Sequence, residues 1–286
     1  MKIGGQTKKF AVLGHPIGHT LSPVMHNAAI QALDWDAIYL AFDVHPDQLM
    51  NVLPAMQQMG FGGVNLTVPL KETAFKGLSR LDESARIMGA VNTVKFEPEG
   101  PKGYNTDGMG FLKAMEEAFG EGVAGKRMFV FGAGGAGRAV ALAAAGEGVR
   151  SLALADVDIE RCRRLAVELE TQFMIAEIDI VTTPEAQLEA AQSADIIVQA
   201  TPVGMKTSDP SPLPPQAFHE GQRAFDLVYM YPETAFMKAA KAGGARIANG
   251  LGMLLHQGAK AFEIWTGVQP PVQAMRAALE KEVYKK

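Results

Sequence analysis

The chain has 286 residues, of which 48% are hydrophobic and 20% charged, so it can form one large or two ordinary hydrophobic cores. Its formal net charge is −4 and it has no block of Lys or Arg, which argues against nucleic acid and anionic membranes as partners. The single cysteine, Cys162, excludes a disulfide within the chain. The sequence has no leader-like segment and no run of about 18 apolar residues, so we expect a cytoplasmic protein.

Alternating strand and helix patterns occupy the first hundred residues. Ser22 and Pro23 suit the start of a helix, with Ser22 as the N-cap and Pro23 as the first helical residue. Amphipathic spacing predicts a second helix over 48–59. The strands that we predict in this part of the chain are 9–13, 37–44, 63–68 and 90–96, with a hairpin turn over 99–103.

The alternation resumes after a predicted helix over 109–119 and a glycine-rich linker over 120–125. Apolar runs predict strands, separated by helices, at 127–131, 151–155, 194–200 and 224–228. This order predicts a mostly parallel, doubly wound sheet. The segment 202–215 has five prolines and no helical pattern, so we expect a functional loop there.

A glycine-rich motif follows the first strand of this second stretch. It reads Gly132-Ala-Gly134-Gly135-Ala136-Gly137 and precedes a strongly helical segment. Strand, Gly-x-Gly-x-x-Gly and helix in this order are typical of a dinucleotide-binding βαβ unit. Gly132 would allow the tight turn, Gly134 the approach of the pyrophosphate, and Gly137 the packing of helix on strand. The pyrophosphate would then meet free N–H groups at the helix N-terminus.

Asp156 lies 19 residues after the last glycine, at the end of the next predicted strand. A carboxylate there accepts hydrogen bonds from the adenosine ribose and repels a 2′-phosphate. The sequence therefore predicts NAD as the cofactor and disfavours NADP. Asp156 also suits a solvated helix cap, since Asp158 and Glu160 have the composition of a helix start.

Polar clusters in the first half fall at predicted strand ends and turns, where side chains can face a cleft. They are His19-Thr-Leu-Ser22, Asn65-Leu-Thr-Val-Pro-Leu-Lys71, Asn92-Thr93 and Asn105-Thr-Asp107. The histidines of this half lack the spacing of metal ligands on a helix, and no Gly-x-Ser-x-Gly elbow occurs, so we expect neither a metal site nor a serine hydrolase. One lysine, one aspartate and many neutral hydrogen-bonding groups suit a small polyhydroxylated substrate.

The sequence resembles the shikimate dehydrogenase family over residues 10–267. The motifs that carry the resemblance are Gly14-His-Pro-Ile-Gly-His-Thr-Leu-Ser-Pro-Val-Met-His-Asn27, Asn65-Leu-Thr-Val-Pro-Leu-Lys71, Gly89-Ala-Val-Asn-Thr93, Gly103-Tyr-Asn-Thr-Asp107, Ala200-Thr-Pro-Val-Gly-Met205, Asp226-Leu-Val-Tyr229 and Gly252-Met-Leu-Leu-His-Gln257. The resemblance implies hydride transfer between a nicotinamide cofactor and shikimate or 3-dehydroshikimate, or the corresponding quinate pair.

The resemblance also implies roles for matching residues. Lys71 corresponds to the catalytic lysine and Asp107 to its partner. The residues implied to bind the substrate are Thr20, Ser22, Thr67, Asn92, Tyr229 and Gln257. The resemblance implies that Gly134, Gly135, Ala136, Leu227 and Gly250 contact the cofactor. The other residues expected to contact it are Gly132, Gly137, Asp156, Arg161 and Thr201.

These roles agree with the chemistry of the reaction. Oxidation of an alcohol carbon by hydride transfer requires removal of the hydroxyl proton, which a lysine can perform as a general base. Asp107 would favour the ammonium form of Lys71, while burial would oppose it. A substrate carboxylate at Ser22 would lie near the N-terminus of a helix, where free N–H groups favour an anion.

The chain departs from the family pattern at two places. Thr20 stands where the family usually has Ser, and its methyl group narrows the pocket and stiffens the side chain, which affects the choice between shikimate and quinate. NADP-using members carry Asn-Arg-Thr where this chain has Ala155-Asp-Val157, so the pattern is similar to that of NAD-preferring quinate/shikimate dehydrogenases. Arg161 lies one position later than the next family arginine and either reaches the ribose or pairs with Asp158.

The sequence therefore predicts an α/β fold of two domains. An N-terminal α/β substrate domain over 1–107 is completed by helices within 250–286, and a doubly wound Rossmann-type dinucleotide-binding domain covers 108–249. Alternatives are an NADP-dependent biosynthetic shikimate dehydrogenase, a methylene-tetrahydrofolate dehydrogenase-like enzyme with a catalytic lysine, and a non-catalytic NAD-binding regulator. The only partners expected are small molecules. The chain is expected to be a monomer or a homodimer, and in the second case it also binds a second copy of itself.

Overall fold

The computed structural model describes residues 3–175 and 177–285. One compact unit consists of the residues up to Thr106 together with those from Leu255 onward, and a second consists of Asp107–Leu254. The boundaries between these units differ from the predicted domain boundaries by one residue at the first and five at the second. Residues 1, 2 and 286 of the predicted ranges lie outside the described residues.

The strands of the described residues, in chain order, are β1 (Lys8–Gly14), β2 (Ala37–Asp43), β3 (Phe61–Leu66), β4 (Arg80–Leu81), β5 (Thr93–Glu97), β6 (Gly100–Tyr104), β7 (Arg127–Phe131), β8 (Ser151–Ala155), β9 (Glu177–Ile180), β10 (Ile196–Gln199), β11 (Arg223–Asp226) and β12 (Arg246–Asn249). The α-helices are α1 (Ser22–Ala32), α2 (Leu49–Gln58), α3 (Leu70–Gly77), α4 (Glu83–Met88), α5 (Asp107–Phe119), α6 (Gly135–Gly146), α7 (Ile159–Gln172), α8 (Pro184–Ser193), α9 (Ala235–Ala242), α10 (Leu251–Thr266) and α11 (Val272–Tyr284). Short 3₁₀ turns cover Pro46–Gln48 and Pro215–Ala217.

The first unit is built on a mixed sheet of order β2-β1-β3-β5-β6-β4. β1 runs parallel to both of its neighbours, while β5 is antiparallel to β3 and β6. The part of the unit from Leu255 onward packs directly on this sheet, since the Trp265 Nε1 donates to the carbonyl oxygen of Val94 at 3.0 Å. Gly258 on α10 makes room for α1, because a Cβ there would lie 2.1 Å from the Met25 Cε.

The outer edge of this sheet is closed at Tyr39 by a side chain rather than by another strand. Asn27 of α1 donates from its Nδ2 to the Tyr39 carbonyl and accepts from the Tyr39 N–H, both at 2.9 Å. The amide of Asn27 thus makes the two hydrogen bonds that a neighbouring strand would supply. This contact fixes β2 against the first helix of the unit.

The second unit is a parallel sheet of order β12-β11-β10-β7-β8-β9. The chain starts at β7 in the middle, proceeds to one edge, and returns to add the remaining strands on the other side. This is the doubly wound arrangement predicted from the sequence, with its switch point between β7 and β10. Ligands of such sheets bind at the carboxyl ends of the strands beside that point, where the glycine-rich motif lies.

Several sequence predictions need correction in detail. The N-cap of α1 is Leu21, whose apolar side chain makes no capping hydrogen bond, and Ser22 is the first helical residue rather than the cap. The predicted strand 63–68 ends at Leu66. Leu70 N donates to the Thr67 carbonyl, and this hydrogen bond begins the turn that leads into α3.

Three strands, β4, β9 and β12, escaped prediction, and β6 (Gly100–Tyr104) covers most of the residues that were predicted as a hairpin turn. β4 has only two residues, and β9 is a polar edge strand in which acidic residues alternate with isoleucines. Such short or polar edge segments carry little of the apolar pattern on which strand prediction depends. Within the described residues, no helix is both long and apolar enough to cross a membrane.

Candidate active site

The first turn of α1 brings together the two hydroxyl residues predicted to hold a carboxylate. Ser22 is buried, and its N–H donates to the Thr20 Oγ1 at 3.3 Å. Burial raises the pKa of the Tyr39 phenol, and the nearby side chain of Ser22 partly opposes this shift. Because the first N–H groups of a helix have no partner within the helix, this turn suits an anion.

Thr67 and Lys71 lie on the short segment that joins β3 to α3. The Thr67 N–H donates to the Leu13 carbonyl at 2.9 Å, and its own carbonyl accepts from Leu70 N at 2.8 Å. Lys71 is the second residue of α3, and its carbonyl accepts from Val91 N at 3.0 Å. The backbone of Lys71 is thereby tied to the residue that precedes Asn92.

Asn92 and Gln257 are brought into contact, since the Asn92 Nδ2 lies 3.4 Å from the Gln257 Oε1. The amide of Asn92 is held in one orientation. Its Oδ1 accepts from Thr106 N and from the Thr93 Oγ1, both at 2.9 Å, and its Nδ2 donates to the Thr106 Oγ1 at 2.9 Å. Two predicted substrate residues that are far apart in the chain thus lie side by side.

The sequence analysis did not assign a role to Tyr39, and it included Asn65 only as part of a polar motif. Both are buried beside Asn92. The Tyr39 hydroxyl donates to the Asn65 Oδ1 at 2.7 Å, and the Asn65 Nδ2 donates to the Asn92 carbonyl and the Thr93 Oγ1 at 3.2 and 3.1 Å. Tyr39 gave no functional signal because tyrosine is an ordinary strand residue in an apolar run.

The glycine-rich motif has the backbone geometry that its residue types predict. Gly132 has φ = +111°, and a Cβ there would lie 2.8 Å from the Ala200 carbonyl carbon. A Cβ on Gly137 would lie 1.8 Å from the Gly132 carbonyl oxygen, so any larger residue would separate α6 from β7. Gly134 occupies the N-cap of α6 and, having no side chain, makes no capping hydrogen bond to the first N–H groups of this helix. The loop therefore suits a dinucleotide pyrophosphate.

Asp156 lies at the end of β8, and both of its oxygens accept hydrogen bonds from the backbone. Its Oδ2 accepts from Ala133 N at 2.7 Å and its Oδ1 from Asp158 N at 2.8 Å. Arg161 pairs with Asp158 at 3.2 Å, and its Nη1 lies 3.8 Å from the position that a Cβ on Gly134 would occupy. A guanidinium group thus lies beside the loop, while the carboxylate of Asp156 holds the backbone of that loop.

The remaining predicted cofactor residues follow β10, β11 and β12. Thr201 N donates to the Gln199 Oε1 at 2.7 Å, which fixes the chain directly after β10. Gly250 contacts Leu227 closely, since a Cβ on Gly250 would lie 2.2 Å from the Leu227 carbonyl oxygen.

Tyr229 follows two residues after Leu227, and burial raises the pKa of its phenol. Asp107 is the first residue of α5.

Asp226 supports the segment that carries Leu227 and Tyr229. It is completely buried, its Oδ2 accepts from the Thr234 hydroxyl at 2.5 Å, and its Oδ1 accepts from Val228 N at 3.0 Å. Burial raises its pKa to about 6, and the hydrogen bonds from Thr234 and Val228 only partly oppose this shift. The carboxyl group therefore shapes the turn after β11.

Among residues 3–175 and 177–285, no group of three or more His, Cys, Asp or Glu side chains has the arrangement of a metal site. The described side chains instead offer hydroxyl, amide and lysine groups in the first unit, and Asp107 together with a glycine-rich loop and an arginine in the second. Together with the doubly wound sheet, these features define a class: two-unit α/β enzymes with a Rossmann-type dinucleotide-binding unit.

Comparison with known proteins identifies the family within this class. A model of the shikimate dehydrogenase substrate binding domain matches residues 12–94, and one of the shikimate 5′-dehydrogenase C-terminal domain matches residues 250–280. The chain is 43% identical to a shikimate dehydrogenase (NADP(+)) of Moorella thermoacetica over 98% of its own length and 95% of the relative. It is 38% identical to one of Methanopyrus kandleri over 98% of this chain and 97% of the relative.

A solved structure gives the same result. The shikimate 5-dehydrogenase of Thermus thermophilus, in complex with NADP(H) and shikimate, is 40% identical, has a TM-score of 0.84, and covers 96% of this chain and 99% of its own. The chain belongs to the shikimate dehydrogenase family and is an oxidoreductase that acts on a CH–OH group.

The prediction of NAD as the cofactor is wrong, because the curated relatives that match nearly the whole chain are named as NADP(+) enzymes. The physical reason lies in the surroundings of Asp156. Its carboxylate is engaged by two backbone N–H groups, and the guanidinium of Arg161 lies beside the same loop. An aspartate at the end of the second strand is therefore insufficient evidence against a 2′-phosphate.

We expect replacement of Asp226 by Asn to change how stability depends on pH. The folded-state pKa of about 6 exceeds the ordinary value of 3.8, so the protonated carboxyl stabilises the fold at low pH and that contribution is lost as the pH rises through 6. The wild-type free energy of unfolding should fall relative to that of Asp226→Asn by up to about 3 kcal/mol between pH 4 and pH 7.

Urea unfolding at several pH values measures this difference. Asp47→Asn, which removes a carboxylate with 82% side-chain exposure, controls for the loss of one charge and should keep the wild-type profile. Parallel profiles for wild type and Asp226→Asn over this range would contradict the prediction.

Proposed function

We propose that this chain interconverts shikimate and 3-dehydroshikimate with NADP as the hydride carrier. The observation that carries the proposal is the buried amide and hydroxyl cluster around Asn92, which contacts Gln257 and adjoins the backbone of Lys71. A compact set of neutral hydrogen-bonding groups beside one lysine suits a ring that carries several hydroxyls and is oxidised at one of them. The names of the full-length relatives support the same substrate and cofactor.

In this proposal the first unit binds the substrate. Thr20 and Ser22 hold its carboxylate at the first turn of α1, where unpaired helix N–H groups favour an anion. Thr67, Asn92 and Gln257 bind ring hydroxyls, and the family resemblance adds the phenol of Tyr229 to this set. Shikimate is favoured over quinate here because the relatives that match over the whole chain are shikimate dehydrogenases.

Lys71 is the proposed general acid and base. During oxidation its amine removes the proton of the hydroxyl whose carbon loses a hydride, and during reduction its ammonium returns that proton. Family resemblance makes Asp107 the partner of Lys71, and we propose that its charge favours the ammonium form. A nicotinamide cofactor, when bound, would supply the acceptor or the donor of the hydride.

The second unit is the proposed binding site of the dinucleotide. The loop from Gly132 to Gly137 would hold the pyrophosphate, because Cβ atoms on its first and last glycines would collide with backbone. Arg161 would bind the 2′-phosphate that distinguishes NADP from NAD, since it lies beside this loop. Asp156 would orient the loop through its bonds to backbone N–H groups, and Thr201, Leu227 and Gly250 would line the remainder of the site.

Replacement of Lys71 by Ala should lower kcat for NADP-dependent oxidation of shikimate by about 10²- to 10⁴-fold, the range for loss of general acid–base catalysis. The KM for shikimate should change less, because the hydroxyl and amide ligands remain. NADPH formation measures the rate. Lys76→Ala, which removes an exposed lysine from the same helix, is the matched control and should retain the wild-type rate. No shikimate turnover by the wild type, or near-normal kcat in a folded Lys71→Ala variant, would contradict the proposal.

Replacement of Arg161 by Ala should reduce kcat/KM for NADP by about tenfold to a hundredfold, because a charge-assisted contact to the 2′-phosphate is lost. The value for NAD, which lacks this phosphate, should stay within about twofold. Arg163→Ala removes another arginine of α7, one that pairs with Glu160 at 2.6 Å, and serves as the control. Equal losses for both cofactors, or a wild type that prefers NAD, would show that Arg161 does not select NADP.

A further inference from the structure

The phenol of Tyr39 lies between the two ends of the proposed substrate site. Tyr39 is 1% exposed, and its hydroxyl donates to the Asn65 Oδ1 at 2.7 Å. The side chain of Ser22 lies near the same hydroxyl and partly opposes the rise that burial causes in the pKa of the phenol. The phenol therefore lies between a proposed carboxylate ligand on α1 and an amide on β3.

Contacts on every side keep Tyr39 in place. Asn27 holds its backbone through two hydrogen bonds of 2.9 Å. The imidazole of His26 stacks on the phenol ring, with centroids 4.3 Å apart and planes inclined by 11°. Burial lowers the pKa of His26 to about 3, so this stacked ring is uncharged in neutral solution. His26 and Asn27, which end the first family motif, thus immobilise Tyr39.

The hydrogen bond from Tyr39 and the Asn92 carbonyl, which accepts from the Asn65 Nδ2 at 3.2 Å, together set the direction of the bonds that follow. Because the Asn65 Oδ1 accepts from the phenol, its Nδ2 faces the Thr93 Oγ1 at 3.1 Å. The Thr93 oxygen accepts that bond, and its proton is directed to the Asn92 Oδ1 at 2.9 Å. With its Oδ1 engaged, Asn92 directs its Nδ2 toward Thr106 and Gln257.

We propose that Tyr39 is a positioning residue of the substrate site, which sets the orientation of Asn92 through Asn65 and Thr93. This inference rests on the proposed function, in which Asn92 binds a ring hydroxyl. If the Asn65 amide were reversed, its Nδ2 would face the phenol, the Thr93 hydroxyl would donate to the Asn65 Oδ1, and the Asn92 Oδ1 would lose a donor. The Asn92 Oδ1 would then be held only by its hydrogen bonds with Thr106, so the amide would be less firmly oriented toward the substrate hydroxyl.

Two shape-conserving variants test this role in the full-length enzyme. Tyr39→Phe removes only the hydroxyl, and Thr93→Val removes the link between Asn65 and Asn92. Each should raise the KM for shikimate by about tenfold to a hundredfold, the effect of a buried polar group left without its partner. The KM for NADP should stay within about twofold, because the second unit is unchanged. Tyr104→Phe, which deletes a hydroxyl that bonds to Lys102 in the same unit, is the matched control.

The double variant distinguishes positioning from general loss of stability. If both residues act through one chain of hydrogen bonds, the two substitutions should not add. The KM for shikimate of the double variant should then be no more than about twofold above that of the single variant with the higher KM. The positioning role would be overturned if the increases in the KM for shikimate of the two single variants multiplied in the double variant, or if Tyr39→Phe had an unchanged KM for shikimate. Neither result would bear on the activity of the wild type. A wild type inactive toward shikimate would overturn the proposed function and this inference with it.

Discussion

The hydrogen-bonded chain that links Tyr39, Asn65, Thr93, Asn92 and Gln257 is the constraint on which the first unit depends. These amides and hydroxyls are buried or nearly so, and each costs free energy unless its partners are in place. Strands β2, β3 and β5, the residue before β5 and helix α10 supply the members, so this polar chain can form only when the sheet and α10 have come together. The proposed binding groups are consequently in position before a substrate arrives, which reduces the ordering cost of binding.

The second unit obtains its function from close backbone contacts rather than from buried side-chain amides. Gly132, Gly137 and Gly250 each occupy a place where a Cβ would collide with backbone atoms. Asp156 and Asp226 use their carboxylates to hold nearby N–H groups in the turns after β8 and β11. Acidic residues at the ends of these strands thus support the loops, and this role explains why Asp156 misled the choice of cofactor.

The alternating apolar runs and the glycine-rich motif were sufficient to predict the doubly wound sheet, because parallel strands are buried on both faces and leave a strong signal. The family motifs were sufficient to predict an oxidoreductase that acts on a CH–OH group. The sequence could not show that Ser22 is helical rather than a cap, or that Tyr39 is part of a polar chain, because both depend on partners distant in sequence. It could not show the surroundings of Asp156 either, since a carboxylate that binds backbone N–H groups has the same residue type as one that faces a ribose.

The exchange of side-chain amide protons in the unliganded enzyme tests most directly whether the polar chain is already formed. In ¹⁵N NMR spectra, the Nδ2 protons of Asn65 and Asn92 should exchange with water at least about 100-fold more slowly than those of Asn51, which lies exposed on α2. Slow exchange at both residues is the result that a preformed site predicts. Exchange of Asn92 as fast as that of Asn51 would contradict it, because the substrate would then have to order the site on binding.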